Sequence, residues 1–150
     1  MKTLGMLGQV ALPGEISSVP AARRHVRELL DSIGHTDNDD ALLLVTELVA
    51  NAVRHSHSGH PGGRVTVSVA AHDGTVHIDV TDGGSADRHP RLCSEIDAGS
   101  GGGRGLWLVQ EIASAWGWHE IPAGRVVWFQ LVPPGRRLPA GFGRRASETR

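Results

Sequence analysis

The chain has 150 residues, a formal net charge of −1, 39% hydrophobic residues and one cysteine. That length makes one domain with a sizeable core, and the balanced charge gives no electrostatic footprint for nucleic acid or a membrane surface. Cys93 alone excludes an intramolecular disulfide framework and a zinc-knuckle spacing. No apolar run approaches the roughly 18 residues of a membrane span and no signal-peptide core stands at the N-terminus, so a reducing cytoplasm is the expected compartment.

Residues 3–12 are mildly apolar and predict an edge strand. Ser17 or Ser18 as N-cap and Pro20 in the first turn predict a helix to about Ile33, with Val19, Ala22, Val26, Leu29 and Leu30 inward and Gly34 closing it. A second helix begins at Asp37 or Asn38 and runs to about His55. It carries Glu47, Asn51 and Arg54 at i, i+4 and i+7, on one stripe with His55 beside it. Leu42, Val45, Val49, Ala52 and Val53 form the face that packs on a core, and Leu43 and Leu44 flank the stripe as the walls of a groove. An acid, a neutral oxygen ligand and a cation in one row suit a base, a Mg2+ ligand and a phosphate contact; a solvated polar face is the plain alternative. His55, His57 and His60 are separated by Ser and Gly, which favours a solvated loop over a metal site.

Two strictly alternating segments follow, 65–69 and 76–80, joined by His72-Asp73-Gly74-Thr75, whose Asp-Gly pair favours a tight hairpin. Residues 83–102 are glycine-rich and without periodicity, as functional lids or disordered segments are. Gly103 to about Trp116 predicts a third helix with Leu106, Val109, Gln110 and Ala113 in register. A last hairpin spans 116–121 and 125–132 and turns at Pro122-Ala123-Gly124. Trp107, Trp116, Trp118 and Trp128 are expected in the core or on a sheet face. From Pro133 to Arg150 the chain has little to bury, and an unstructured tail is expected after a domain of residues 1–132. This order predicts an α+β two-layer sandwich, with helices on one face of a mixed, mostly antiparallel sheet.

Asp82 continues the parity of Val76, Ile78 and Val80. A carboxylate at the end of an apolar row needs strong donors, and the exocyclic amine of adenine is one. Gly83 and Gly84 would let backbone approach a flat ring. An ordinary strand-end Asp opening a turn is the alternative. The run Gly99-Ser100-Gly101-Gly102-Gly103-Arg104-Gly105-Leu106 leads into a helix, where free N–H groups and a positive macrodipole suit phosphate oxygens. It is not a Walker loop, since no Gly-Lys-Ser/Thr follows. It is not a dinucleotide fingerprint either, since no strand precedes it.

Taken together over residues 10–132, these motifs resemble the GHKL ATPase superfamily with its Bergerat ATP-binding fold. The chain looks most similar to the anti-sigma-factor serine/threonine kinases and related actinobacterial ATP-binding regulators. Glu47-x-x-x-Asn51 fits the N box, Asp82-x-Gly84 the first glycine box and Gly103-x-Gly105-Leu106 the second. The resemblance implies ATP and Mg2+ as cofactors, with Asn51 as the metal ligand and Glu47 as general base toward a serine hydroxyl or water. Arg54, with His55 beside it, would face the phosphates. Asp82 would accept from adenine N6 above Gly84, and the backbone of Gly103, Arg104 and Gly105, leading into Leu106, would cradle the triphosphate under a lid of residues 86–102. The partners it implies are an anti-sigma-factor antagonist, which is phosphorylated, and a sigma factor, which is sequestered. No direct contact with nucleic acid or membrane is implied. A homodimer through the N-terminal edge strand fits the family's habit.

Two departures from the family pattern stand out. Related kinases carry an arginine just before the second glycine box, where this chain has Gly101-Gly102, and the Asp-x-Gly-x-Gly pattern is shortened because Ser85-Ala86 follows Gly84. An alternative is therefore a catalytically weak ATP-binding regulatory module that binds protein partners without phosphotransfer. The catalytic domain of a sensor histidine kinase ranks below both, because the fold begins almost at the first residue and leaves no room for a phospho-acceptor helix.

Overall fold

A computed structural model describes residues 5–35, 37–55, 63–83, 104–122, 124–132 and 148–149; of His55, 104–106 and 148–149 it describes the backbone. The elements are β1 (Gly5–Pro13), a 3-10 turn (Ile16–Ser18), α1 (Val19–Ser32), α2 (Asp39–His55), β2 (Arg64–His72), β3 (Thr75–Asp82), α3 (Arg104–Ile112), β4 (Ala115–Ile121), β5 (Gly124–Leu131) and β6 (Glu148–Thr149). The sheet order is β1-β2-β3-β5-β4-β6. Every pairing is antiparallel except that of β6 with β4, and the helices pack on one face, so the fold is the expected α+β sandwich. β1 lies at the sheet edge, as predicted.

One parity of each strand faces the helices. Val65, Val67 and Val69 of β2, Val76, Ile78 and Val80 of β3, Val127 and Phe129 of β5 and Trp116 and Trp118 of β4 are buried there in register. An irregularity between Met6 and Gly8 resets β1, and a Cβ at Gly8 would stand 2.9 Å from the Leu29 side chain of α1. The β2–β3 turn has positive φ at both Asp73 (51°) and Gly74 (82°), the geometry that an Asp-Gly hairpin demands. On the opposite sheet face, His77 stacks on Trp128 with ring centroids 5.4 Å apart. Its Nδ1 lies 3.1 Å from Gln130 Nε2, and its Nε2 donates to Asp79 Oδ1 at 3.0 Å.

The α1 end matches its signal in detail. His35 N–H donates to Leu30 O and Gly34 N–H to Asp31 O, the paired bonds of a Schellman turn with Gly34 at φ 77°. Gly34→Ala meets no atom within 4 Å, so only the left-handed backbone opposes it. A loss of about 1 kcal/mol in urea unfolding is expected. At the start of α1, the Ser18 hydroxyl does not cap the helix; it donates to Pro13 O at 2.7 Å and ties the turn back to β1. Asn38 does precede α2, with its carbonyl accepting from Leu42 N–H. Its side chain faces back instead, with Oδ1 2.6 Å from His35 Nδ1 and Nδ2 donating to Asp31 Oδ1 at 3.2 Å.

Four expectations are corrected. Leu44 is fully buried and Leu43 is exposed, so the two do not wall a groove. Helix α2 packs against α1 and α3 as well as β2 and β3, which widens its buried arc to Ala41, Leu44 and Leu48. Helix α3 ends at Ile112 rather than Trp116: after Ala113 N–H bonds Val109 O, the Ser114 N–H turns to Gln130 O and the chain enters β4. Gln110 is exposed and Leu108 and Ile112 pack inward beside Val109 and Ala113. Trp107 is 47% exposed, unlike Trp116, Trp118 and half-buried Trp128. Of the expected tail, residues 133–147 and 150 lie outside the described residues, while Glu148 and Thr149 pair with Trp118 and His119.

Candidate nucleotide site

Helix α2 carries the first part of the site. Glu47 is half-buried, Asn51 is 8% exposed and Arg54 is exposed. This gradient follows from helix geometry: Asn51 stands three and seven residues after Leu48 and Leu44, in the row that turns toward the core. Glu47 lies one turn before Asn51 at the edge of that row. Arg23 of α1 donates from Nη1 to Thr46 Oγ1 at 2.9 Å, and Thr46 Oγ1 donates to Leu42 O at 2.8 Å. The residue before Glu47 is thereby tied both to its own helix and to α1, a link the sequence did not reveal.

The Asn51 Oδ1 atom is buried and has no hydrogen-bond partner among the described residues. A buried carbonyl oxygen without a donor is costly by about 1–3 kcal/mol, and a hard cation such as Mg2+ is a ligand it suits. Among the described residues no group of three or more His, Cys, Asp or Glu stands ready to hold a metal by itself. Mg2+ does not need one, because it ordinarily takes a small number of protein oxygens and completes its shell with phosphate oxygens and water.

The second part lies at the end of β3, on which α2 packs. Asp82 is 5% exposed and continues the helix-facing row, as its parity predicts. Its register partner on β5 is Arg125, which is 4% exposed. Arg125 pairs in turn with Glu120 of β4, so an acid, a base and an acid stand side by side on the helix-facing side of three strands. All three side chains belong to residues with polar or ring partners. The turn before Arg125 closes on the same point: a Cβ on Gly124 would run into the Asp82 carbonyl oxygen and stand 2.9 Å from the carbonyl carbons of Asp82 and Gly83.

The third part is the N-terminus of α3, which begins at Arg104 directly after the glycine run. Arg104, Gly105 and Leu106 occupy the first turn, where backbone N–H groups lack helical acceptors and favour anions. α3 packs beside α2. The first glycine-box residue Gly84, Gly103 of the second, the lid 86–102, Cys93 and His57 and His60 lie outside the described residues, as does the side chain of His55.

The sequence profile of the histidine kinase-like ATPase domain matches residues 12–131. The chain belongs to this family. The match covers all the described helices and the antiparallel strands from the end of β1 to β5, and it supports the GHKL superfamily and ATP binding. As a histidine kinase-like ATPase domain the chain carries its N-box candidates Glu47 and Asn51 on α2 and its acidic adenine candidate Asp82 at the end of β3. Reading along the sequence missed Gly124 and Arg125. From Val126 to Phe129 both parities of β5 are apolar, so no alternation marked the arginine as inward-facing. No helix among the described residues is long and apolar enough to cross a membrane.

Proposed function

We propose that the chain is an ATP-dependent protein serine/threonine kinase of the partner-switching type, which phosphorylates an anti-sigma-factor antagonist and sequesters a sigma factor in the cytoplasm. The observation that carries the catalytic half is the pairing on α2 of half-buried Glu47 with the buried Oδ1 of Asn51 one turn later, which has no donor among the described residues. Partners and compartment rest on the resemblance of the three motifs.

In this reading Asn51 holds Mg2+, which supplies charge neutralisation to the phosphates when bound. Glu47 accepts the hydroxyl proton of the acceptor serine as that oxygen bonds to the γ-phosphorus. The bond to the β,γ-bridging oxygen breaks, and ADP leaves. The N–H groups at the start of α3 receive phosphate oxygens, exposed Arg54 adds charge at the rim, and Asp82 selects adenine. Because the transition state gains little from covalent chemistry, positioning and charge carry most of the rate.

Calorimetric titration with ATP, with and without Mg2+, tests the site. Mg2+-dependent micromolar binding is expected, and Asn51→Ala should abolish the Mg2+ dependence while the thermal unfolding transition persists. Transfer of 32P from ATP to serine of an antagonist protein then tests the kinase. Binding without transfer would leave the regulatory module as the correct description. No binding would remove the nucleotide reading.

A further inference from the structure

We propose that Arg125 is a positioning residue for base selection: its guanidinium fixes the direction of the Asp82 carboxylate and balances its charge, so that this carboxylate reads a purine carrying a 6-amino group. The inference rests on the ATP reading above and adds a residue to it.

Three observations carry it. Asp82 and Arg125 are direct cross-strand partners on the helix-facing side of β3 and β5, a placement that brings Cβ atoms to about 4.5–5.5 Å. Both are at least nine-tenths buried, at 5% and 4% exposure, at the end of rows made of Val80, Ile78, Val127 and Phe129. A buried carboxylate and a buried guanidinium each demand a compensating charge, and neighbours of opposite sign satisfy both. At Gly124, the residue before Arg125, an added Cβ would run into the Asp82 carbonyl oxygen, so the backbones of the two strand ends approach closely beside the pair.

Glu120 is the competing partner, since it faces Arg125 from β4. It is exposed, and water screens its charge, whereas Asp82 has little solvent to fall back on. The planar fork of arginine also suits a role between two acids: it can direct one carboxylate in its plane while keeping donors for the other. Asp82 then presents an acceptor to the base. Adenine offers an N–H donor at its 6-position, and hypoxanthine offers an oxygen that a carboxylate repels.

The test is the ratio of ITP to ATP dissociation constants, measured by calorimetry on the full chain. The wild-type ratio should be roughly tenfold or more, the usual weight of a hydrogen bond to a charged group. Asp82→Asn should shrink it. Arg125→Met should weaken ATP far more than ITP and bring the ratio toward one, Arg125→Lys, which keeps the charge but not the fork, should restore only part of it, and Glu120→Gln should leave it unchanged. Equal weakening of ATP and ITP by Arg125→Met would make Arg125 merely structural and overturn the proposal, as would an unchanged ratio. If Arg125→Met alone does not fold, the Asp82→Asn/Arg125→Met pair decides. Recovery of folding supports coupling of the two charges, and failure of the pair to fold overturns it. Absence of nucleotide binding by the wild type would instead sink the ATP reading itself.

Discussion

Glu47→Ala is expected to bind Mg-ATP with affinity near that of the wild type and to lose phosphotransfer by about 10²–10⁴-fold, the usual contribution of a positioned general base. The structure gives this separation a physical basis. Glu47 is half-buried at the margin of the α2 row, and the metal candidate Asn51 lies deeper, one turn later. Removing the carboxylate deletes no buried hydrophobic volume, because Leu44 and Leu48 fill the adjoining core. It also leaves Arg23 and Thr46 joined, so α2 keeps its attachment to α1. Single-turnover kinetics with radiolabelled ATP, beside calorimetry of the same variant, read the two quantities independently. Loss of binding in step with loss of transfer would make Glu47 a residue that shapes the pocket. Unchanged transfer would move the base elsewhere. Glu47→Gln sharpens the distinction, since it keeps the shape and removes only the basicity.

The parts of this architecture that were legible are those that one local rule decides. Alternation placed Val76, Ile78, Val80 and Asp82 on one face, and all four are buried there. Asp73-Gly74 required positive φ at two consecutive residues, and Gly34 required it at a helix end; both occur. What stayed illegible depends on a third element. Leu44 and Leu43 cannot be sorted into inside and outside from α2 alone, because the arc that α1 and α3 cover is not written in the helix. The end of α3 is set by Gln130, distant in sequence, whose carbonyl takes the Ser114 N–H. Ser18 looks like a cap, but its hydroxyl turns to donate to Pro13 O at the end of β1 and accepts no N–H of the helix. The site divides along the same line. The candidates Glu47, Asn51 and Asp82 are picked out by spacing and parity alone. Arg125 and Gly124 matter only because β5 pairs with β3 in one register, and that register exists only in the fold.

Gly124→Ala should therefore be the more disruptive of two glycine replacements that resemble each other in sequence. At Gly34 the added methyl enters open space, and only the φ of 77° resists it. At Gly124 φ is 153°, and the methyl would also collide with the Asp82 carbonyl oxygen and lie 2.9 Å from two carbonyl carbons. Those atoms are backbone, so no side-chain rotation relieves the contact. Either the end of β5 lifts from β3 and gives up the Asp82–Arg125 pairing, or the end of β3 moves and carries Asp82 with it. Strain of this kind combined with a buried clash costs about 2–4 kcal/mol. The expected result is a lower urea midpoint with an unchanged m-value, together with weaker ATP binding measured well inside the folded baseline. Gly34→Ala supplies the contrast: about 1 kcal/mol of destabilisation and full ATP affinity. If Gly124→Ala lost stability but kept its affinity for ATP, the nucleotide would not depend on where β3 holds Asp82. Adenine recognition would then have to be sought on another element. If both stability and affinity were retained, the close approach of β5 to Asp82 would itself be wrong.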